Sequence, residues 1–215
     1  MKSRWLGTAV VAAMWAFALG VYARLPQRIP SHWNLQGEVD GWMTKPWGPL
    51  VQPFIATVML GLLWLLPRID PRRANVERFA EDRRLIINLL ILFFAVVQVA
   101  TFAHALGWPV QVDRVILASV GLLFVGLGNY LPRIRSNWFM GIRTPWTMDN
   151  ERVWRATHRV GGRTFVAAGL VMALAALLPE PARVWTSGAA IAVAVVVPLV
   201  YSYVAYRRDL AGRPI

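Results

Sequence analysis

Residues 85–106 read LIINLLILFFAVVQVATFAHAL. The stretch contains no Asp, Glu, Lys or Arg, and its polar groups are confined to Asn88, Gln98, Thr101 and His104. A helix of that length rises about 33 Å, enough to cross the hydrocarbon core of a bilayer. It reads as a membrane span. The whole chain, at 57% hydrophobic and 16% charged over 215 residues, is too apolar for an ordinary water-soluble domain.

Working outward, comparable apolar runs cover Trp5–Ala23, Pro49–Leu66, Val115–Leu131, Thr164–Leu178 and Trp185–Tyr206. The expected fold class is an all-α membrane protein with six transmembrane helices. The fifth run is the shortest and is expected to recruit Val160–Arg163 at its inner end. The first follows Lys2 and Arg4 and ends in Val21-Tyr22-Ala23, a tolerable cleavage site. Its apolar run exceeds the roughly 7–15 residues of a signal core, so a retained helix is expected.

The net charge of +12 could suggest nucleic acid, but its distribution follows the membrane instead. All but five of the 23 Lys and Arg fall in the N-terminus, the second loop, the fourth loop and the C-terminal tail; the exceptions are Arg24, Arg28, Lys45, Arg114 and Arg183. This is the positive-inside pattern, which places both termini in the cytoplasm. No direct nucleic-acid binding is expected. There are no cysteines, so no disulfide braces any loop.

The second loop, PRIDPRRANVERFAEDRR (67–84), mixes six arginines with four acids and reads as a solvated, partly helical connector. LPRI occurs at 66–69 and again at 131–134, each time where a span leaves the membrane inward. No Asp, Glu, Lys or Arg lies in the core of a span, which counts against proton- or ion-coupled transport. There is no H-E-x-x-H helix, G-x-S-x-G elbow or phosphate-cradling glycine loop, and no cofactor is expected. Ser119 and His104 lie at different depths and read as a satisfied polar pair in helix packing rather than a catalytic dyad. Gly121, Gly126 and Gly128 in the fourth span, with Ala167, Ala168, Gly169, Ala173 and Ala176 in the fifth, permit close helix approach. Asn88, Gln98 and Thr101 read as interhelical hydrogen-bonding groups.

Two loops are chemically denser than connectors need to be. The first is RIPSHWNLQGEVDGWMTKPWGP (28–49). Pro26 and Pro30 push the chain before His32 toward extended structure, and Asn34 to Gly37 and Asp40-Gly41 are turn signals. A hairpin or re-entrant elbow at the outer bilayer surface is expected, with Trp33, Trp42 and Trp47 at headgroup level. One reading is an interfacial cap. The other is a ligand-binding surface formed by His32, Trp33, Asn34, Gly37, Glu38, Asp40 and Trp42. His32, Glu38 and Asp40, with His104 from the same side, are weak candidates for metal ligands.

The second is GNYLPRIRSNWFMGIRTPWTMDNERVWRATHRVGGR (128–163), expected inside. Pro145 marks a break, after which Thr147 or Asp149 can cap a helix running to about Val160. Val153, Trp154, Thr157 and Val160 share one face of that helix, and Arg152, Arg155 and Arg159 another. A basic amphipathic helix along the inner leaflet is expected.

Taken together, these two stretches resemble the SdpI family of bacterial membrane proteins. The first is similar to the P-x-H-x-N-x-x-G-x-x-D-x-W element of an uncharacterised domain in their N-terminal halves, carried here by Pro30, His32, Asn34, Gly37, Asp40 and Trp42. The second is similar to their N-x-x-x-G-I-R-T-P-W-T…W…H signature, carried by Asn137, Gly141, Ile142, Arg143, Thr144, Pro145, Trp146, Thr147, Trp154 and His158. The resemblance implies a multi-pass protein of the bacterial inner membrane and two regions: residues 1–66, a helix pair with the outer loop, and residues 67–215, a four-helix SdpI-like region with the cytoplasmic GIRTPWT loop. It further implies an immunity and receptor protein whose partners are the lipid bilayer, a secreted membrane-active peptide toxin and a cytoplasmic transcriptional repressor. On that reading Asn137, Gly141, Arg143, Thr144, Pro145, Trp146, Trp154 and His158 form a cytoplasmic partner interface. The alternative functions are a metal-dependent membrane enzyme and a small transporter.

Overall fold

A computed structural model describes residues 5–34 and 37–215. The apolar runs fold as helices because a backbone N–H or C=O left unpaired in lipid costs several kcal/mol. The long helices are α1 (Leu6–Val21), α2 (Gly48–Ile69), α4 (Ala80–Ala105), α5 (Val112–Tyr130), α7 (Glu151–Ala175) and α8 (Ala182–Leu210). Two five-residue helices, α3 (Arg73–Glu77) and α6 (Pro145–Asp149), lie in the connections, as does a 3-10 turn at Leu131–Arg133. Two strands, β1 (Arg28–Trp33) and β2 (Val39–Thr44), form the hairpin between α1 and α2.

Among the described residues, four helices are long and apolar enough to cross a membrane: Gly48–Ile69, Ala80–Ala105, Val112–Arg133 and Ala182–Leu210. The apolar helix α1 is shorter, at 16 residues. The protein is helical and crosses a membrane more than once.

Helices α1, α2 and α4 pack as one group around Val11, Met14, Ala56, Ile87 and Ile91. Helices α5, α7 and α8 form a second, whose core includes Ala168, Met172, Ala190 and Ala194. The α4–α5 contact joins them. Helix association in lipid depends on close packing rather than on expelling water, and the α5–α7 seam is built for it. A Cβ on Gly128 would lie 2.7 Å from the Gly162 carbonyl oxygen, and one on Gly121 would lie 2.6 Å from that of Gly169. Gln98 supplies a polar tie between helices, donating to the Met14 carbonyl at 3.0 Å. Ser119 and His104 do not pair. The Ser119 hydroxyl donates to the Val115 carbonyl at 2.7 Å, and His104 faces the Val110 carbonyl at 3.4 Å.

Two expectations need correction. The amphipathic segment after Pro145 neither ends near Val160 nor forms a separate surface helix; it is the first part of the continuous 25-residue α7. Its cap is also different. Asn150, rather than Thr147 or Asp149, accepts from the Arg152 and Val153 amides at 2.8 and 3.2 Å. No helix breaker follows in 151–175, and Gly161 and Gly162 meet neighbouring elements instead of interrupting the helix. The 67–84 connector is likewise more than solvated chain: Asp70, Val76 and Phe79 are buried in it.

Candidate functional site

The hairpin stands at one end of the bundle. Its strands pair antiparallel, with Pro30 opposite Trp42, His32 opposite Gly41 and Trp33 opposite Val39, and the register shifts on both sides of His32. Such irregularities re-aim a side chain. The His32 Nδ1 lies 2.5 Å from Asp40 Oδ1, and both side chains are exposed. Gly41 leaves room for the pair, since a Cβ there would come 2.7 Å from that of His32. Asn34 and Glu38 close the tip: the Glu38 amide donates to Asn34 Oδ1 at 2.9 Å, and Asn34 Nδ2 donates to Glu38 Oε2 at 3.1 Å. The intervening Leu35 and Gln36 lie outside the described residues.

The hairpin is clamped to the bundle on its other side. Ile29 is buried with Ala18, Leu25 and Phe102, and Lys45 Nζ donates to the Leu25 carbonyl at 2.7 Å. Trp33 meets the His104 ring edge-on, with centroids 6.2 Å apart. Gly37, at φ +86°, rests against Asp113; a Cβ there would lie 2.9 Å from that carboxylate. Asp113 in turn pairs with the buried Arg183 at 2.7 Å, tying the N-terminal ends of α5 and α8 together. In the sequence Arg183 stands out only for its side of the membrane and is not paired with Asp113. Lone opposite charges at neighbouring helix ends were the available signal.

The four weak metal candidates are not brought together. Glu38 is engaged by Asn34, and His104 faces Trp33 rather than His32. Among the described residues no group of three or more His, Asp or Glu side chains could hold a metal ion.

The GIRTPWT signature folds as a knot at the opposite end. Asn137 organises the first turn, accepting at Oδ1 from the Phe139 and Met140 amides at 2.9 and 2.7 Å and donating to the Arg135 and Met140 carbonyls. Thr144 and Thr147 form a reciprocal capping box on α6. Trp154 is fully buried and donates its indole N–H to the Ile134 carbonyl at 2.8 Å. The stacked His158 ring, 4.1 Å from that of Trp154, accepts from the Ile142 amide at 3.0 Å and donates from Nδ1 to the Trp154 carbonyl at 2.8 Å. Those bonds define one neutral tautomer, and burial pushes the imidazole down to about 4, against the opposing pull of the Trp154 carbonyl. Gly141, at φ +102°, passes directly over that ring.

The second connector completes the knot. The buried Asp70 accepts from the Arg72 amide at 2.7 Å and the Trp138 amide at 3.0 Å. Arg72 donates to Ser136 and, at 2.9 Å, to the Met148 carbonyl, while Asn75 donates to the Ser136 carbonyl at 2.9 Å. Asn150 and Arg152 bond Asp209, drawing in the end of α8. Sequence reasoning missed Asp70, Arg72, Asn75 and Ser136; the repeated LPRI was a signal, since both copies lead into this knot. Of the expected partner interface, Asn137, Thr144, Trp154 and His158 are buried, Trp146 is half-buried against Tyr203, and Gly141, Arg143 and Pro145 are exposed.

Comparison with known proteins places this knot in context. Residues 133–202 match the SdpI/YfhL protein family. The resemblance to the SdpI family therefore holds. Residues 9–57, which include the hairpin, match a domain of unknown function, DUF1648. The chain is 25% identical over 174 residues to the immunity protein SdpI of Bacillus subtilis strain 168, covering 81% of each chain. No solved structure matches.

Proposed function

We propose that this chain is a non-enzymatic immunity protein of the SdpI type, protecting its cell against a membrane-active peptide toxin. Six helices cross the membrane with both termini cytoplasmic: α1 spans with tilt or local thinning, and the apolar half of α7 supplies the fifth span. The hairpin, within residues 1–66, lies outside and the knot, within residues 67–215, lies inside.

The observation that carries the reading is the exposed His32–Asp40 pair beside Trp42, on a hairpin whose opposite side is anchored to the helices. An amphipathic peptide meets apolar, hydrogen-bonding and charged groups there at headgroup level. Similarity to a protein named for immunity supports the same reading. Toxin occupancy is relayed to a cytoplasmic repressor at the exposed part of the knot, Gly141, Arg143 and Pro145 with the edge of Trp146. The buried signature residues hold that surface in shape.

The test is survival of a sensitive host challenged with a membrane-active peptide toxin, with membrane abundance measured in parallel. The intact chain is expected to protect. His32→Ala and Asp40→Asn are expected to accumulate normally, since exposed substitutions usually change stability by less than about 0.5 kcal/mol, and to lose protection. Full protection by both variants at normal abundance would remove the hairpin's receptor role; a failure of both to accumulate would make it a structural cap.

A further inference from the structure

At the same end as the knot, but outside it, a pocket of about 260 Å³ opens between the C-terminal turns of α2, the short α3 and the first turns of α4. Arg68, Arg73, Arg83 and Arg84 line it, with Glu77 as its carboxylate. That carboxylate is already engaged, since Arg73 Nε donates to it at 2.9 Å. Arg84 reaches only the exposed Glu81, at 3.5 Å. Arg68 and Arg83 have neither an ion pair nor a hydrogen bond among the described residues, and Arg83 Nε is buried without an acceptor.

An isolated guanidinium N–H held away from water is unfavourable. Arg83 and Arg84 are also adjacent cations near the N-terminus of a 26-residue helix, where the macrodipole is itself positive. A single anion with several acceptor oxygens would relieve all of these.

We propose that this pocket binds a phosphate group. Guanidinium forks match phosphate oxygens in geometry and charge, and basic pockets between membrane helices suit anionic headgroups. Two sources share that chemistry: an anionic phospholipid, with its headgroup in the pocket and its chains in the surrounding bilayer, and free phosphate.

The test uses the full chain purified in an uncharged detergent, with thermal unfolding followed during addition of phosphatidylglycerol, phosphatidylcholine or inorganic phosphate. Phosphatidylglycerol is expected to raise the unfolding temperature where phosphatidylcholine does not. Arg83→Gln is expected to weaken the apparent affinity at least about tenfold, the value of one lost charge-assisted hydrogen bond. Arg68→Gln keeps the proposal testable should Arg83→Gln fail to fold, because Arg68 is exposed and has no partner among the described residues. An equal shift with inorganic phosphate, lost in the same variants, would retain the site and make free phosphate its ligand. The proposal is overturned if neither phosphatidylglycerol nor phosphate stabilises the wild-type chain. It is equally overturned if the pocket variants respond like wild type, or if Arg155→Gln and Arg159→Gln on α7 abolish the effect as fully.

Discussion

Gly141 and His158 show how the SdpI signature works at the level of single residues. Gly141 combines a left-handed φ of +102° with a backbone lying against the His158 and Trp154 rings. A methyl group there is penalised twice, by conformation and by contact. Gly141→Ala is therefore expected to destabilise the protein by about 2 kcal/mol or more, read as a lower unfolding temperature in detergent and lower membrane abundance. His158 makes a pH prediction. Its folded-state pKa, about 4, lies below the ordinary 6.5, so the unfolded chain binds the extra proton first as pH falls. The contribution is complete above about pH 6.5 and is lost as pH falls toward 4, with a magnitude on the order of 3 kcal/mol. Between pH 7 and 4.5 the unfolding temperature of the wild type should fall more steeply than that of His158→Gln. Parallel falls would assign the acid sensitivity to another group. The sequence exposed these residues as a motif, but not their burial. A run such as GIRTPWT contains no periodicity from which an inward-facing ring can be told from an outward-facing one.

At the scale of elements, the α5–α7 seam was legible because small residues on both helices permit close approach, as Gly121, Gly128 and Gly169 do, although Gly126 instead meets Leu89 of α4. The contact carries a prediction: Gly169→Leu should separate the helices and lower stability by several kcal/mol, since the new side chain would meet α5 backbone. Gly188→Leu, where nothing lies within 4 Å of the added Cβ, should behave like wild type. Unfolding of the two variants side by side checks it. The hairpin was legible to the extent that proline and turn residues announce extended chain and reversal, but not in the register shifts that present His32 to solvent. The 67–84 connector was misread because composition counts charges without showing how they are used. Asp70 accepts from the Trp138 amide, and Arg72 donates to the Ser136 hydroxyl and the Met148 carbonyl, all more than sixty residues away in sequence. The extent of α7 was misread for a related reason. A change from amphipathic to apolar sequence marks a change of solvent, and a helix can cross that boundary without ending.

For the whole molecule, the long helices, the basic bias and the two dense loops were visible in the sequence because a bilayer imposes long, charge-free runs and sorts lysine and arginine by side. The polar ties between individual helices were not visible, since they depend on lone pairs of residues far apart in sequence, such as Asp113 on α5 and Arg183 on α8. The structure puts the polar hairpin and the buried knot at opposite ends of the bundle. The central claim is that the first faces the outside and receives, while the second faces the cytoplasm and relays. The natural chain has no cysteine, so single cysteines report side without interference. Met43→Cys on the exposed hairpin and Ala74→Cys on the exposed face of α3 are the two positions to compare. With a membrane-impermeant thiol reagent on intact cells, the account predicts labelling at position 43 alone, with position 74 reacting only after lysis. Labelling at 74 with protection at 43 would contradict it.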